Sequence, residues 1–119
     1  SAVAAAVVER WFTPAYLDAH PDARSTHEQM VAATPTEGYA GCCEAIAKLD
    51  LREQLSTITA PTLAIAGAED PATPPAKLEQ IAAGVPGARL LTVPQSAHLA
   101  NAEQPGIITP ALIEHLEQQ

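Results

Sequence analysis

Basic side chains, aromatic side chains and cysteines are all scarce in this sequence of 119 residues. Six Lys and Arg stand against 14 Asp and Glu, and the resulting net charge of −8 argues against nucleic acids and anionic membranes as partners. Aromatic residues make up only 3% of the chain, so we expect a thin hydrophobic core. No apolar run approaches the roughly 20 residues of a membrane span, and no basic leader is recognisable, so we expect a cytoplasmic protein.

The two cysteines, Cys42 and Cys43, are adjacent in the sequence. Neighbouring side chains in a helix point about 100° apart, which disfavours a disulfide between them. We therefore expect reduced thiols that pack in the core. The four histidines are scattered and no ligand spacing is recognisable, so we expect neither a metal nor a cofactor.

A serine nucleophile is also missing in the form in which it is usually recognised. None of the six glycines brackets a serine as G-x-S-x-G, the turn that exposes a nucleophilic hydroxyl between a strand and a helix. Ser96 lies only two residues before His98, and we interpret it as a turn former.

Two short apolar runs, each followed by a side chain suited to catalysis, are the most informative feature that is present. Residues 62–66 read as a buried strand that leads to Asp70, and residues 88–93 read as a second buried strand that leads to His98. A helical pattern over residues 75–83 connects them. A right-handed crossover places such strands in parallel, about 4.8 Å apart, with their ends level. We therefore expect a carboxylate that orients an imidazole.

The rest of the sequence has helical patterns. Trp11 and Phe12 supply the largest apolar anchor, and Gly38 and Gly41 leave room for the close approach of another element. The predicted helices span residues 2–12, 20–33, 36–49, 50–58 and, at the end of the chain, about 101–116.

Several motifs give the chain a family resemblance. The turn from Gly67 to Asp70 with Pro74 behind it, and the loop Ala97-His98-Leu99, resemble the acid and histidine turns of α/β-hydrolases. More narrowly, the sequence is similar to that of 3-oxoadipate enol-lactonases along nearly its whole length. The stretches that carry this similarity are ERWFTP (9–14), YAGCCEAI (39–46), IAGAEDPATPP (65–75) and HLANAEQP (98–105).

The resemblance implies a partial α/β-hydrolase fold in two parts. Residues 1–58 correspond to a helical cap, and residues 59–119 correspond to the C-terminal lobe, with a two-stranded parallel β-α-β unit and a closing helix. The implied activity is hydrolysis of 3-oxoadipate enol-lactone to 3-oxoadipate in the degradation of aromatic compounds.

The resemblance also implies roles for particular residues. Asp70 matches the acid of the catalytic triad and His98 matches its general base. Arg10 and Trp11 are candidates for binding substrate, Arg10 because a guanidinium can meet the negative charge of the lactone. The nucleophile and the oxyanion donors of the family belong to a part of the fold that this chain lacks.

Three interpretations stay open on the sequence alone. The chain is the C-terminal portion of an enol-lactonase, or part of another esterase or lactonase, or a complete binding module that has lost the catalytic half. In each case the strand at residues 62–66 has an open edge, so we expect a homo-oligomer that forms through this edge or by exchange of the helical half.

Overall fold

The computed structural model describes residues 2–118, in which helices dominate and two strands form a single sheet. The helices before the sheet are α1 (Ala2–Trp11), α2 (Pro14–Ala19), α3 (Pro21–Ala33), α4 (Thr36–Lys48) and a 3₁₀ helix (Arg52–Thr57). The remaining elements are β1 (Leu63–Gly67), α5 (Pro75–Gly84), β2 (Arg89–Val93), α6 (Ala100–Glu103) and α7 (Pro105–Glu117).

Prolines mark the beginnings of several helices. Pro14, Pro21, Pro75 and Pro105 each occupy the first turn, where the missing backbone N–H costs nothing and the fixed φ favours a helix. No helix was predicted between residues 12 and 20, where α2 lies, because a proline after the first helical pattern was interpreted only as the residue that ends it. The Thr13 side chain caps α2 by accepting the backbone N–H of Tyr16 at 3.3 Å.

The sheet has the predicted parallel topology. β1 pairs with β2 in a register that runs from Leu63 opposite Arg89 to Gly67 opposite Val93, and α5 forms the crossover. The two strands therefore end at the same edge, where the backbone N–H of Ala68 donates to the carbonyl of Val93 at 2.8 Å. This arrangement confirms the predicted β-α-β unit.

Two small clusters of buried apolar side chains contribute to the core of the described chain. The first joins α1 to α2 and contains Phe12, which is 1% exposed and confirms the predicted anchor. The second lies between the sheet and the last two helices. The buried members of the first cluster are Val8, Phe12 and Leu17, and those of the second are Val93, Ala100 and Ile108.

The prediction that the second strand is buried is wrong for most of β2. Arg89, Leu90 and Thr92 are exposed, and only Val93 at its end is fully buried. The physical reason is that α5 packs more on β1 than on β2, so described residues cover only part of the faces of β2. Arg89 instead reaches α7, where its guanidinium lies 3.3 Å from the Glu114 carboxylate.

The predicted packing of α4 is also wrong for the described residues. Cys42 and Cys43 are free thiols, but both are exposed rather than in the core. A Cβ added at Gly38 or Gly41 would meet nothing within 4 Å, so these glycines receive no neighbouring element. The helical spacing of apolar residues was read correctly, but no residue of α4 is buried.

Two further observations concern the organisation of the chain. None of the helices in the described range 2–118 is long and apolar enough to cross a lipid bilayer. The 3₁₀ helix packs on α5, since a Cβ added at Gly84 would lie 2.7 Å from the Leu55 side chain. This contact joins elements on both sides of residue 58, so it does not define a boundary, and the division of the chain at residue 58 stays a prediction.

Candidate active site

The carboxylate of Asp70 is held by the turn that follows β1. Its Oδ1 atom accepts the backbone N–H groups of Ala72 at 2.8 Å and Thr73 at 3.0 Å. Such bonds from residues two and three positions ahead are typical of Asp in a tight turn. Because the Asp70 side chain is buried as well, the carboxylate has little freedom to rotate.

Opposing effects act on the pKa of Asp70. Burial raises the pKa, but hydrogen bonds from the Thr73 backbone, from His98, from the Thr73 hydroxyl and from the Ala72 backbone lower it more. The net result is a pKa below the ordinary value of 3.8. Asp70 is therefore a carboxylate at neutral pH and a strong acceptor.

His98 completes this arrangement from the loop after β2. Its Nδ1 lies 2.9 Å from Asp70 Oδ2, and the Thr73 hydroxyl donates to the same oxygen at 2.7 Å. The Thr73 oxygen is also 3.1 Å from His98 Nδ1. Since Oδ2 can only accept, the neutral imidazole carries its proton on Nδ1, and Nε2 is left as the nitrogen that can take a proton.

Close contact between the two turns brings Asp70 and His98 together. At the end of β1, a Cβ added at Gly67 would lie only 2.0 Å from the carbonyl oxygen of Ala97. Nearby, the backbone N–H of Glu69 donates to the Ser96 carbonyl at 2.9 Å. Only glycine fits at position 67, and its absent side chain lets the histidine loop lie against the strand end.

The histidine loop, residues 94–99, is itself well ordered by local bonds. Ser96 is fully buried and its hydroxyl donates to the Val93 carbonyl at 2.9 Å, which confirms its interpretation as a turn former. Gln95 has a positive φ of 52°, in the left-handed region that tight turns use. The 2.9 Å distance between His98 Nδ1 and Asp70 Oδ2 confirms that the two side chains lie close together, as predicted.

A groove of about 480 Å³ opens beside the pair. Its polar lining comes from Asp70, Thr73, His98 and Asn101, and its apolar lining comes from β1 and from the helices α5, α6 and α7. The His98 side chain is 37% exposed, so a reacting group can approach it. The apolar lining residues are Ile65, Leu78, Ala100, Ile108 and Leu112.

Arg10 and Trp11 do not line this groove. Arg10 is exposed, and its Nε donates to the carbonyl of Ala6 in the same helix at 3.3 Å. The Trp11 ring is half-buried and meets the His27 ring edge-on, with 6.3 Å between the centroids. Their predicted roles in substrate binding stay predictions.

Two residues that contact the site were missed in the sequence. Thr73 bonds to both members of the pair, and its position three residues after Asp70 was the available signal. Glu103 lies five residues after His98 and bonds to the histidine loop, but its other partner, Thr13, is 90 residues away, so no local pattern could reveal it.

The chemistry of this arrangement is that of a general base held by a carboxylate. An imidazole oriented through Nδ1 can accept a proton at Nε2 from a nucleophile and later return it to a leaving group. The sequence of this chain contains no G-x-S-x-G turn to supply that nucleophile. Within residues 2–118, no three His, Cys, Asp or Glu side chains gather in a way that could hold a metal ion.

Comparison with known proteins reveals close relatives. Over 103 residues the chain is 38% identical to 3-oxoadipate enol-lactonase 2 of Acinetobacter baylyi, an alignment that includes 87% of this chain and 38% of that protein. The crystal structure of the enol-lactonase from Burkholderia xenovorans LB400 superposes with a TM-score of 0.93 at 34% identity, over 98% of this chain and 44% of that one. A hydrolase from Pseudomonas aeruginosa PA01 gives a TM-score of 0.90 at 39% identity, over 96% and 43% of the two chains.

The chain thus spans less than half the length of these relatives. The likeness nevertheless includes both turns of the site and the helices before the sheet. The family model for the alpha/beta hydrolase fold matches residues 14–105, which is most of the chain and contains the Asp70–His98 pair. On this evidence the chain belongs to the α/β-hydrolase family.

Proposed function

We propose that this chain supplies the acid and the general base of a 3-oxoadipate enol-lactonase. The observation that carries the proposal is the 2.9 Å contact between His98 Nδ1 and Asp70 Oδ2 at the end of two parallel strands. Two relatives at 38% identity are named 3-oxoadipate enol-lactonases, which supports this substrate class. The same proposal implies a role in the degradation of aromatic compounds, in the cytoplasm.

In this mechanism the chain moves one proton and orients the group that moves it. Nε2 of His98 takes the proton of a nucleophilic hydroxyl as that oxygen attacks the lactone carbonyl, and it gives the proton to the ring oxygen that leaves. Water then attacks the acyl intermediate as His98 takes its proton, the ester bond to the nucleophile breaks, and His98 returns the proton to the released hydroxyl. The Asp70 carboxylate stabilises the imidazolium in both steps, and the nucleophile comes from a part of the protein outside these residues.

Arg10 and Trp11 enter the proposal as candidates for substrate binding. These roles are supported by the position of α1, which ends beside the histidine loop. The Trp11 carbonyl there accepts the backbone N–H of Leu99 at 2.8 Å. A guanidinium at this end of α1 carries the charge that a carboxylate substrate needs. Arg10→Gln should therefore raise KM more than it lowers kcat.

A chimera tests the proposed function. Residues 1–119 replace the matching segment of the A. baylyi enol-lactonase, and opening of the enol-lactone is followed by absorbance. We expect activity in the chimera and none above background in the isolated chain, because a base without a nucleophile and an oxyanion hole lacks the covalent step. In the chimera, Asp70→Asn should reduce kcat by about 10⁴-fold and His98→Gln by about 10⁶-fold.

Glu79→Gln is the matched control, since this exposed carboxylate on α5 lies outside the groove. It should leave kcat unchanged. A folded chimera that keeps its activity with Asn at position 70 or Gln at position 98 would contradict the catalytic roles. A panel of aryl acetates and simple lactones separates an enol-lactonase from a general esterase, because an enol-lactonase should prefer the charged lactone by at least tenfold.

A further inference from the structure

The two residues on either side of His98 are both tied to the end of α1. Leu99 donates its backbone N–H to the carbonyl of Trp11 at 2.8 Å. Ala97 donates its backbone N–H to Oε2 of Glu103. The other oxygen of Glu103 accepts the backbone N–H of Thr13 at 2.9 Å and the Thr13 hydroxyl at 2.6 Å.

Both oxygens of the Glu103 carboxylate thus accept hydrogen bonds, and these bonds link two distant parts of the chain. It accepts three hydrogen bonds, one from the histidine loop and two from the junction between α1 and α2. Charge-assisted bonds of this kind are shorter and stronger than neutral ones. Thr13 and Ala97, the donors on the two sides, are both buried, so water replaces these bonds poorly.

The histidine loop is also held on its other side, by the end of β1. The carbonyl oxygen of Ala97 lies against Gly67, and the carbonyl of Ser96 accepts the backbone N–H of Glu69. Ala97, the residue before His98, is therefore held between the end of β1 on one side and Glu103 on the other. One carboxylate, that of Glu103, thus contacts both Thr13 and Ala97.

We propose that Glu103 is a positioning residue that couples the α1–α2 junction to the orientation of the His98 imidazole. Glu103 does not touch the reacting atoms. Its role rests on the proposed function only insofar as His98 acts as the base, since the coupling itself is a property of this chain. A movement of the helical segment, for example on substrate entry, then reaches the base by way of Thr13, Glu103 and Ala97.

The test uses the chain itself and reads the imidazole directly. Nitrogen chemical shifts of ¹⁵N-labelled histidine report how much of the Nδ1–H form His98 adopts, and amide hydrogen exchange reports the bond at Ala97. Glu103→Gln keeps the size but replaces one acceptor by a donor, so one of the two sides must lose its partner. Thr13 offers two donors and Ala97 only one, so the amide oxygen should face Thr13 and Ala97 should lose its acceptor. We therefore expect the Ala97 amide to exchange about tenfold faster or more, and the fraction of the Nδ1–H form to fall.

A second pair of variants approaches the same link from the other side. Thr13→Val keeps the shape but removes the hydroxyl, and Thr13→Ser restores it. We expect Thr13→Val to change the His98 nitrogen shifts in the same direction as Glu103→Gln, by a smaller amount, and Thr13→Ser to return them to the wild-type values. These variants keep the test meaningful if Glu103→Gln fails to fold. Glu79→Gln, with the same change of charge on α5, should leave the His98 signals unchanged.

Either of two outcomes would overturn the proposal. In one, Glu103→Gln and Thr13→Val lower the melting temperature but leave the His98 shifts of the folded chain as they are, and Glu103 then only fastens the helices. In the other, Thr13→Ser fails to restore the signals that Thr13→Val changes. An inactive chimera with coupled His98 signals would contradict the enol-lactonase assignment alone, so the two proposals fail separately.

Discussion

Two regions of this chain differ sharply in how far their own residues hold them in place. Around the site, Ala66, Asp70, Val93, Ser96 and Ala97 are all buried, and each turn is fastened by several hydrogen bonds. From α3 to the 3₁₀ helix no residue is buried. Apolar side chains are nevertheless present there, with Ile46 70% exposed and Leu49 62% exposed.

The difference shows which part of the architecture is encoded in contacts within residues 2–118. The geometry of Asp70 and His98 depends on bonds that this chain makes by itself. The apolar stripe of α4 has the pattern of a buried helix face, but the described residues do not cover it. Exposed apolar surface of this kind usually marks a contact with another protein surface.

The largest expected effect is self-association, which we propose for the isolated chain. β1 pairs with a strand on one side only, and its sequence carries neither charge nor proline to protect the other edge. Pairing of two β1 edges would satisfy the free backbone N–H and C=O groups of this edge, and exchange of the helical half between protomers is the alternative route to a dimer. Sedimentation equilibrium at micromolar concentration should give about twice the chain mass of 12.4 kDa.

A charged variant on α4 shows which region is responsible. Ile46→Glu should leave the dimer intact if β1 edges pair, because residue 46 lies far from the strand in the sequence and on an exposed helix. Dissociation of this variant would assign the contact to α4 instead. A wild-type chain that stays at 12.4 kDa at all concentrations would contradict the proposal of a homo-oligomer.

Truncation of large apolar side chains should affect the two regions very differently. Phe12→Ala removes a ring that is 1% exposed from the first core cluster, so we expect a loss of about 3–5 kcal/mol in the free energy of unfolding. Ile46→Ala removes a side chain that is mostly exposed and should change it by less than about 0.5 kcal/mol. Urea denaturation followed by circular dichroism measures both, and similar losses would show that α4 is packed in solution.

The same substitution, glycine to alanine, should have opposite signs in the two regions. Gly67→Ala places a methyl group against the Ala97 carbonyl and should cost about 2–3 kcal/mol, with loss of the Asp70–His98 bond as the loop is pushed away. Gly41→Ala lies on the open side of α4 and should gain about 1 kcal/mol from helix propensity. A neutral Gly67→Ala would mean that the histidine loop does not press on β1.

Much of the fold near the site follows from sequence periodicity. The strands at residues 62–66 and 88–93 were predicted within one residue of β1 and β2, and the parallel crossover placed Asp70 beside His98. These predictions succeed because short apolar runs and their turn residues determine the structure locally. The helix α2 was not predicted, because Pro14, which cannot continue α1, begins the next helix.

The remaining features depend on contacts that no local pattern records. The periodicity of α4 indicates an apolar face but not whether these residues cover it, so the burial of Cys42 and Cys43 was predicted wrongly. Glu103 joins Thr13 to Ala97 across the whole chain, and its role appears only once the helices are in place. Functional residues whose partners lie far away in the sequence are therefore the hardest to predict from the sequence.

The smallest expected effect concerns the pH dependence of two carboxylates, one in each region. The pKa of Asp70 is held below its ordinary value in the folded chain, so its contribution to stability is present above about pH 4 and is lost as the pH falls toward the folded-state pKa. Asp70→Asn keeps one acceptor for the Ala72 and Thr73 amides, so at pH 7 we expect a loss of only about 1 kcal/mol. This difference from wild type should shrink as the pH falls below 4.

Asp50 provides the comparison from the exposed region. The hydrogen bonds from Arg52 lower its pKa to about 2, so its contribution is also lost in acid. Asp50 and Arg52 are both in contact with solvent, however, and added salt should screen their attraction. In urea titrations at pH 7 we therefore expect 1 M NaCl to abolish any effect of Asp50→Asn but to preserve most of that of Asp70→Asn, because the Asp70 side chain itself is buried. Equal sensitivity of both variants to salt would show that the carboxylate of Asp70 is open to solvent, and the contrast between the two regions would then fail at the site itself.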